Sequence, residues 1–95
     1  MEALSSKEVN ERLSSLEGWS IEDGKLHKKF QFKTFQEAFG KMTEIALVAE
    51  KLDHQPEWYN VYNRLDISLI THDAGPGVTE KDFHLAREIE GINSL

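Results

Sequence analysis

From Phe35 to Leu52, apolar side chains return every three or four residues: Phe35, Ala38, Phe39, Met42, Ile45, Ala46, Ala49 and Leu52. That is the period of one helix face, held for about five turns. Thr34 with Glu37 three residues on forms a capping box at its start. Pro56 confines Gln55 to extended geometry, so the helix must stop near Asp53. A long amphipathic helix cannot bury its own stripe and needs a second layer to pack on. The segments on either side supply that layer.

Before the helix, Trp19 to Glu22 reads as a short strand, and Asp23-Gly24 as a tight turn that tolerates positive φ. Leu26, Lys28, Phe30 and Phe32 then alternate with His27, Lys29 and Gln31, the period of a strand. Its expected core face carries Leu26, Phe30 and Phe32, with Lys28 toward an end. After the helix, Trp58 to Tyr62 and Leu65 to Thr71 alternate in the same way. Asn63-Arg64 leaves room only for a tight connection, so these two strands pair antiparallel. Helices close both ends of the chain. Ser5 and Glu8 form a capping box, Leu4 and Val9 a hydrophobic staple, and Val9, Leu13 and Leu16 a stripe that Gly18 ends. Asp73-Ala74-Gly75-Pro76-Gly77 is a loop by composition. Thr79 and Asp82 cap a last helix whose stripe is Phe83, Ala86, Ile89 and Ile92. The order αββαββα predicts an α+β fold: a four-stranded antiparallel sheet with three helices on one face.

The chain has 95 residues, enough for a single domain spanning 1–95. A domain of this size buries only about 60–65% of its unfolded surface, and association is a common remedy. With no cysteine, disulfides, thiolate nucleophiles and cysteine-based zinc sites are excluded. A net charge of -6 disfavours a nucleic-acid binder that works through phosphate contacts. The basic run Lys25 to Lys29 reads as a solvated strand face. No apolar run approaches the roughly 20 residues of a membrane span. Met1 to Glu8 carries no basic n-region or long apolar stretch, so the expected location is the cytosol.

Histidine is the side chain whose ordinary pKa lies near neutrality. His27 on a polar strand face and His84 on the polar side of the last helix read as surface residues. His54 and His72 differ. They flank the hairpin turn Asn63-Arg64, each nine residues from Asn63, and should meet at one end of the sheet. Two histidines there, beside a loop, suit general acid and base work. Metal binding is the competing use, through Asp53, His54, His72 and Asp73. No HExxH or facial-triad spacing supports it, and the reading adopted has no metal.

The run Ala49-Glu50-Lys51-Leu52-Asp53-His54-Gln55-Pro56-Glu57-Trp58-Tyr59-Asn60-Val61-Tyr62-Asn63 resembles the signature of pterin-4a-carbinolamine dehydratases, also known as dimerisation cofactors of a homeodomain transcription factor. The likeness continues through Ile67 to Asp73, Thr79 to Asp82 and Leu85-Ala86, and includes Phe30 to Phe35 with Ala38-Phe39. It covers most of the chain from Gly18-Trp19 onward. The resemblance implies the αββαββα fold, a homo-oligomer (dimer or tetramer), and dehydration of 4a-hydroxytetrahydropterin to quinonoid dihydropterin in tetrahydrobiopterin recycling. No cofactor is implied, because no redox change occurs. Carried over by position, His54 and His72 match catalytic histidines. Glu50 and Asp53 match acidic residues that orient the site, and Trp58 an aromatic beside the ring. Ile70, Thr71 and Asp73 match the strand end at the pterin, and Lys81 and Asp82 a charged pair opening the last helix. Many members have arginine where Lys81 stands.

Gln55 is the main departure, since many members have a second histidine there. Glutamine can hydrogen-bond a hydroxyl or a ring nitrogen but cannot titrate. It is grouped with the catalytic residues by position. The loop Ala74-Gly75-Pro76-Gly77 is slightly longer than in some members. Two rival readings accompany the enzyme: a catalytically silent pterin-binding protein, and a dimerisation or transcriptional cofactor module with a protein partner and a nuclear role. Neither direct nucleic-acid binding nor membrane attachment is expected.

Overall fold

The computed structural model describes residues 2–92. Met1 and residues 93–95, which the domain reading of 1–95 includes, lie outside the described residues. The elements are α1 (Ser6–Leu13), β1 (Ser20–Glu22), β2 (Lys25–Gln31), α2 (Phe35–Leu52), β3 (Glu57–Val61), β4 (Arg64–Leu69), a 3-10 turn (His72–Ala74) and α3 (Glu80–Gly91). The four strands form one antiparallel sheet in the order β1-β2-β4-β3. This is the α+β architecture that the order of sequence patterns predicts.

Register decides which side chains meet. Leu26 opposes Leu69, Lys28 opposes Ile67 and Phe30 opposes Leu65, all on the covered face. Leu26, Leu65, Ile67 and Leu69 are wholly buried there against Ile45 of α2 and Phe83, Leu85, Ala86 and Ile89 of α3. Leu4, Val9 and Leu13 of the N-terminal segment pack at the margin of the same core. The opposite face stays polar, with His27 beside Ser68 and Lys29 beside Asp66.

Several expectations shift for identifiable reasons. Helix α1 ends at Leu13, well before Gly18, because the Ser14 and Ser15 hydroxyls donate back to the Glu11 and Arg12 carbonyls. The β3–β4 turn is Tyr62-Asn63, one residue earlier than Asn63-Arg64. Tyr62 takes a left-handed φ of 51°, and the Asn60 side chain donates to the carbonyls of Tyr62 and Arg64. That frees Arg64 to pair with Val61 and Gln31. Thr71 is not in β4 but in an isolated bridge to Gly77. Within α2, Phe35, Phe39 and Ala46 point outward, while Lys41 takes a core position beside Ala38, Ile45 and Ala49. Lys28 likewise serves the covered face at mid-strand, donating to Glu90 Oε2 at 2.7 Å and to the Glu17 carbonyl. His27 is less open than a surface residue: its ring lies 3.1 Å from Glu22, and its side chain is 12% exposed.

Candidate active site

The site grows from two chain reversals at one end of the sheet. At the first, α2 stops on Asp53, whose backbone is left-handed (φ 53°, ψ 45°) and whose N–H returns to Glu50 O. Aspartate tolerates that conformation better than most residues. The next N–H, from His54, donates to Ala49 O at 3.0 Å, and the side chain of His54 is carried inward.

At the second, the chain leaves β4 and folds into a closed loop. Thr71 N donates to Gly77 O at 2.9 Å, and Gly77 N donates to Thr71 O at 3.1 Å. The N-terminal segment lies against this loop through Leu4 N to Val78 O at 2.8 Å. A Cβ at Gly77 would fall 2.6 Å from the Cβ of Ala3, so glycine is required by that close approach. The loop delivers Thr79 to the start of α3, where Thr79 and Asp82 form the expected reciprocal capping box.

These reversals meet at Asp82, which has no exposed surface. Its Oδ2 accepts from Thr79 N at 2.8 Å and from the Thr71 hydroxyl at 2.9 Å. Its Oδ1 lies 2.5 Å from His54 Nε2. The Thr71 and Thr79 hydroxyls are 2.7 Å apart, and Thr79 Oγ1 also accepts from Lys81 N at 3.2 Å. Burying a carboxylate is costly unless its oxygens are satisfied, and here charge-assisted bonds at a helix N-terminus satisfy them.

His72 sits at the same sheet end in a different setting. It opens the 3-10 turn with its side chain 76% exposed, and Nε2 stands 3.9 Å from Glu57 Oε2, too far for a hydrogen bond. Gln55, Glu50, Asp53, Asp73 and Lys81 are exposed around these groups, Trp58 is at the edge of exposure, and Ile70 is half-buried. The structure thus joins His54, Thr71 and Asp82 by direct hydrogen bonds. The other residues singled out by sequence lie at the surface or its margin, outside that network. Sequence reasoning missed Thr79 as part of the site. Its capping-box pattern was visible, but its hydroxyl contact with Thr71 was not. Among the described residues, no group of three or more His, Cys, Asp or Glu is arranged to hold a metal ion.

A family model described as "Pterin 4 alpha carbinolamine dehydratase" matches residues 2–92. The chain belongs to the pterin-4-alpha-carbinolamine dehydratase family. Among relatives, a protein of Christiangramia forsetii provisionally named as such a dehydratase is 52% identical over 92 residues, covering 97% of this chain and 94% of that one. A similarly named protein of Rhizobium johnstonii is 52% identical over 92 residues, covering 95% and 90%. The crystal structure of a transcriptional coactivator/pterin dehydratase from Brucella melitensis superposes with a TM-score of 0.89 at 48% identity, covering 95% of this chain and 97% of that one. In this dehydratase family member, no described helix is long and apolar enough to cross a membrane.

Proposed function

We propose that this chain, acting as one domain over 1–95, dehydrates 4a-hydroxytetrahydropterin to quinonoid dihydropterin and water. The observation that carries the reading is a buried, carboxylate-bound His54 and an open His72 at one sheet end, in a chain of the dehydratase family. The reaction needs two proton transfers. The C4a–O bond breaks as a proton reaches the leaving hydroxyl, which departs as water. The N5 proton is removed, and the N5 electrons form the new C4a=N5 bond. One histidine supplies a proton and the other accepts one, so the pair is proton-neutral per turnover. Each such group typically contributes about 10²–10⁴-fold. Nothing is oxidised or reduced, so the chemistry requires neither cofactor nor metal.

Gln55 binds in this scheme, holding the hydroxyl or a bridging water through its amide. Glu50, Asp53, Trp58, Ile70, Asp73 and Lys81 frame the pterin. The setting proposed is tetrahydrobiopterin recycling in the cytoplasm by a homo-oligomer. The sheet edges β1 and β3 favour association, because exposed strand edges invite pairing. The name of the Brucella melitensis neighbour supports a second reading, a protein-binding coactivator module.

Turnover of 4a-hydroxytetrahydropterin by the purified protein separates the two. Wild type should accelerate loss of the carbinolamine, and His72→Ala should turn over about 10²-fold more slowly. Because the His72 side chain is largely solvated, its melting temperature should stay within about 2 °C of wild type. No acceleration by wild type would leave the module reading in place. Loss of activity through unfolding alone would make His72 structural.

A further inference from the structure

The hydrogen bonds around Asp82 have only one consistent direction once its carboxylate is ionised. An ionised carboxylate accepts and never donates. The Thr71 hydroxyl, 2.9 Å from Oδ2, must therefore spend its hydrogen on Asp82. The 2.7 Å contact between the two hydroxyls then needs the Thr79 hydrogen, so Thr79 donates to Thr71. Thr79 Oγ1 is left as an acceptor, which fits the Lys81 N–H that points at it. At the other oxygen the same rule requires a hydrogen on His54 Nε2. In neutral imidazole one nitrogen donates and the other accepts. Nδ1 is therefore the bare nitrogen, and among the described residues it has no hydrogen-bond partner.

We infer that Asp82 and Thr71 are positioning residues that hold His54 as the Nε2–H tautomer, so that His54 acts as the base of the dehydration through Nδ1. This assignment rests on the proposed dehydration. It sharpens that reading by giving each histidine one role: Nδ1 of His54 takes the N5 proton, and the proton for the leaving hydroxyl comes from the open side, where His72 stands. The imidazolium that forms keeps its Nε2–H on a carboxylate 2.5 Å away. Thr71 and Asp82 then serve beneath the pterin, in place of the direct contacts with it that family position implies.

Asp82→Asn tests the direction without removing the contact. Thr79 N–H and the Thr71 hydroxyl both donate to Oδ2, so the amide oxygen must stay on their side. Its NH₂ then faces His54 Nε2 and donates to it, and the ring must switch to the Nδ1–H tautomer. Two-bond ¹H–¹⁵N correlation spectra of ¹⁵N-histidine-labelled protein read the tautomer directly, with His54→Gln providing the assignment. The expected result is an Nε2–H pattern for neutral His54 in wild type and an Nδ1–H pattern in Asp82→Asn. A wild-type ring carrying its hydrogen on Nδ1 would overturn the inference, and this holds even if Asp82→Asn fails to fold. So would a folded Asp82→Asn with an unchanged tautomer.

Thr71→Val adds the kinetic arm. It should lower kcat at least about tenfold with KM little changed, and Thr71→Ser should restore it. Wild-type kcat in Thr71→Val would refute the positioning role. The spectra need no substrate, so a wild-type protein that fails to dehydrate the pterin would sink the proposed reaction while the tautomer remains decided on its own.

Discussion

Helix α3 is held by buried polar groups at both ends, and the two ends do different things with them. At the N-terminus, Asp82 and Thr79 gather hydroxyls, a backbone N–H and an imidazole. At the C-terminus, Lys41 reaches across from α2, donating to the carbonyls of Ile89 at 3.1 Å and Ile92 at 3.2 Å. Glu90 adds a clamp there, accepting from Trp19 Nε1 at 2.8 Å and from Lys28 at 2.7 Å. Asp82 and Lys41 follow one electrostatic rule, a carboxylate at the positive end of a helix and a cation at the negative end, while Glu90 goes against it and is offset by Lys28 and Lys41. At the C-terminal end the partners of Lys41 and of the Trp19 indole are carbonyls and a carboxylate, which only accept. The N-terminal end includes a ring with a second nitrogen left over. Capping gives stability at one end; at the other, on the proposed mechanism, capping through an imidazole gives stability and leaves a nitrogen for the reaction.

Removing the central group at each end tests that contrast. Asp82→Ala should have the largest effect, because it strands the Thr79 N–H, the Thr71 hydroxyl and His54 together. Each buried polar group left unsatisfied costs about 1–3 kcal/mol, and here three are stranded at once, so the loss should exceed that of any single one, and turnover should fall with it. Urea unfolding beside the dehydratase assay checks both. Equal loss of stability with full turnover would erase the functional distinction between the ends.

Lys41→Ala should cost about 1–3 kcal/mol, the range for leaving buried polar groups unsatisfied. The folded fraction should keep wild-type kcat. Burial pushes the Lys41 ammonium below its ordinary pKa of 10.5, with the charge of Glu90 opposing that and Lys28 adding to it. A folded pKa below the unfolded one means that the unfolded chain binds more protons in between. The contribution of Lys41 to stability therefore rises with pH through that window up to about 10.5. Lys41→Ala should lose that rise. A Lys41→Ala enzyme that folds fully but turns over poorly would show that both ends serve the site.

The smallest effect belongs to Glu80, in the first turn of α3. Its carboxyl is held below 4.5, first by the hydrogen bond from Arg87 and then by that from Arg12 at 2.6 Å. Its contribution is fully present above about pH 4.5 and disappears as pH falls through the folded value. The group is about half exposed, so after solvent screening Glu80→Gln should cost about 0.5 kcal/mol or less. The loss should show as a shallower acid limb in melting temperature against pH. A steeper acid limb in the variant would mean that other carboxylates govern acid unfolding.

The fold was readable because local signals agreed. Capping boxes at Ser5, Thr34 and Thr79 mark helix starts, and each of these side chains accepts from the first turn it precedes. Thr34 is only half reciprocated, since Glu37 Oε1 accepts from Lys33 N in place of Thr34 N. What pattern could not supply was partnership at long sequence distance. Lys41 lay outside the apolar stripe read from the sequence, and the carbonyls of Ile89 and Ile92 together with the charge of Glu90 make its burial tolerable. Phe35 and Phe39 looked like core, yet they are exposed, because hydropathy counts residue types and not which side of a wide stripe meets the sheet. At the site, the shared sheet end of His54 and His72 followed from hairpin symmetry. The hydroxyl chain from Thr79 to Asp82 did not, because it depends on a loop closing back on itself at Gly77.

That closure ties Ala3 and Leu4 to the loop that carries the candidate site. With Ala3 occupying the space a side chain at Gly77 would need, the N-terminal segment works as a strap across the loop that carries Thr71. For protein engineering, this end is not a neutral handle. A tag or fusion that drags Ala3 and Leu4 off the loop would loosen the bridge between Thr71 and Gly77. The disturbance would reach the imidazole of His54 through two hydrogen bonds, with no residue of the site altered.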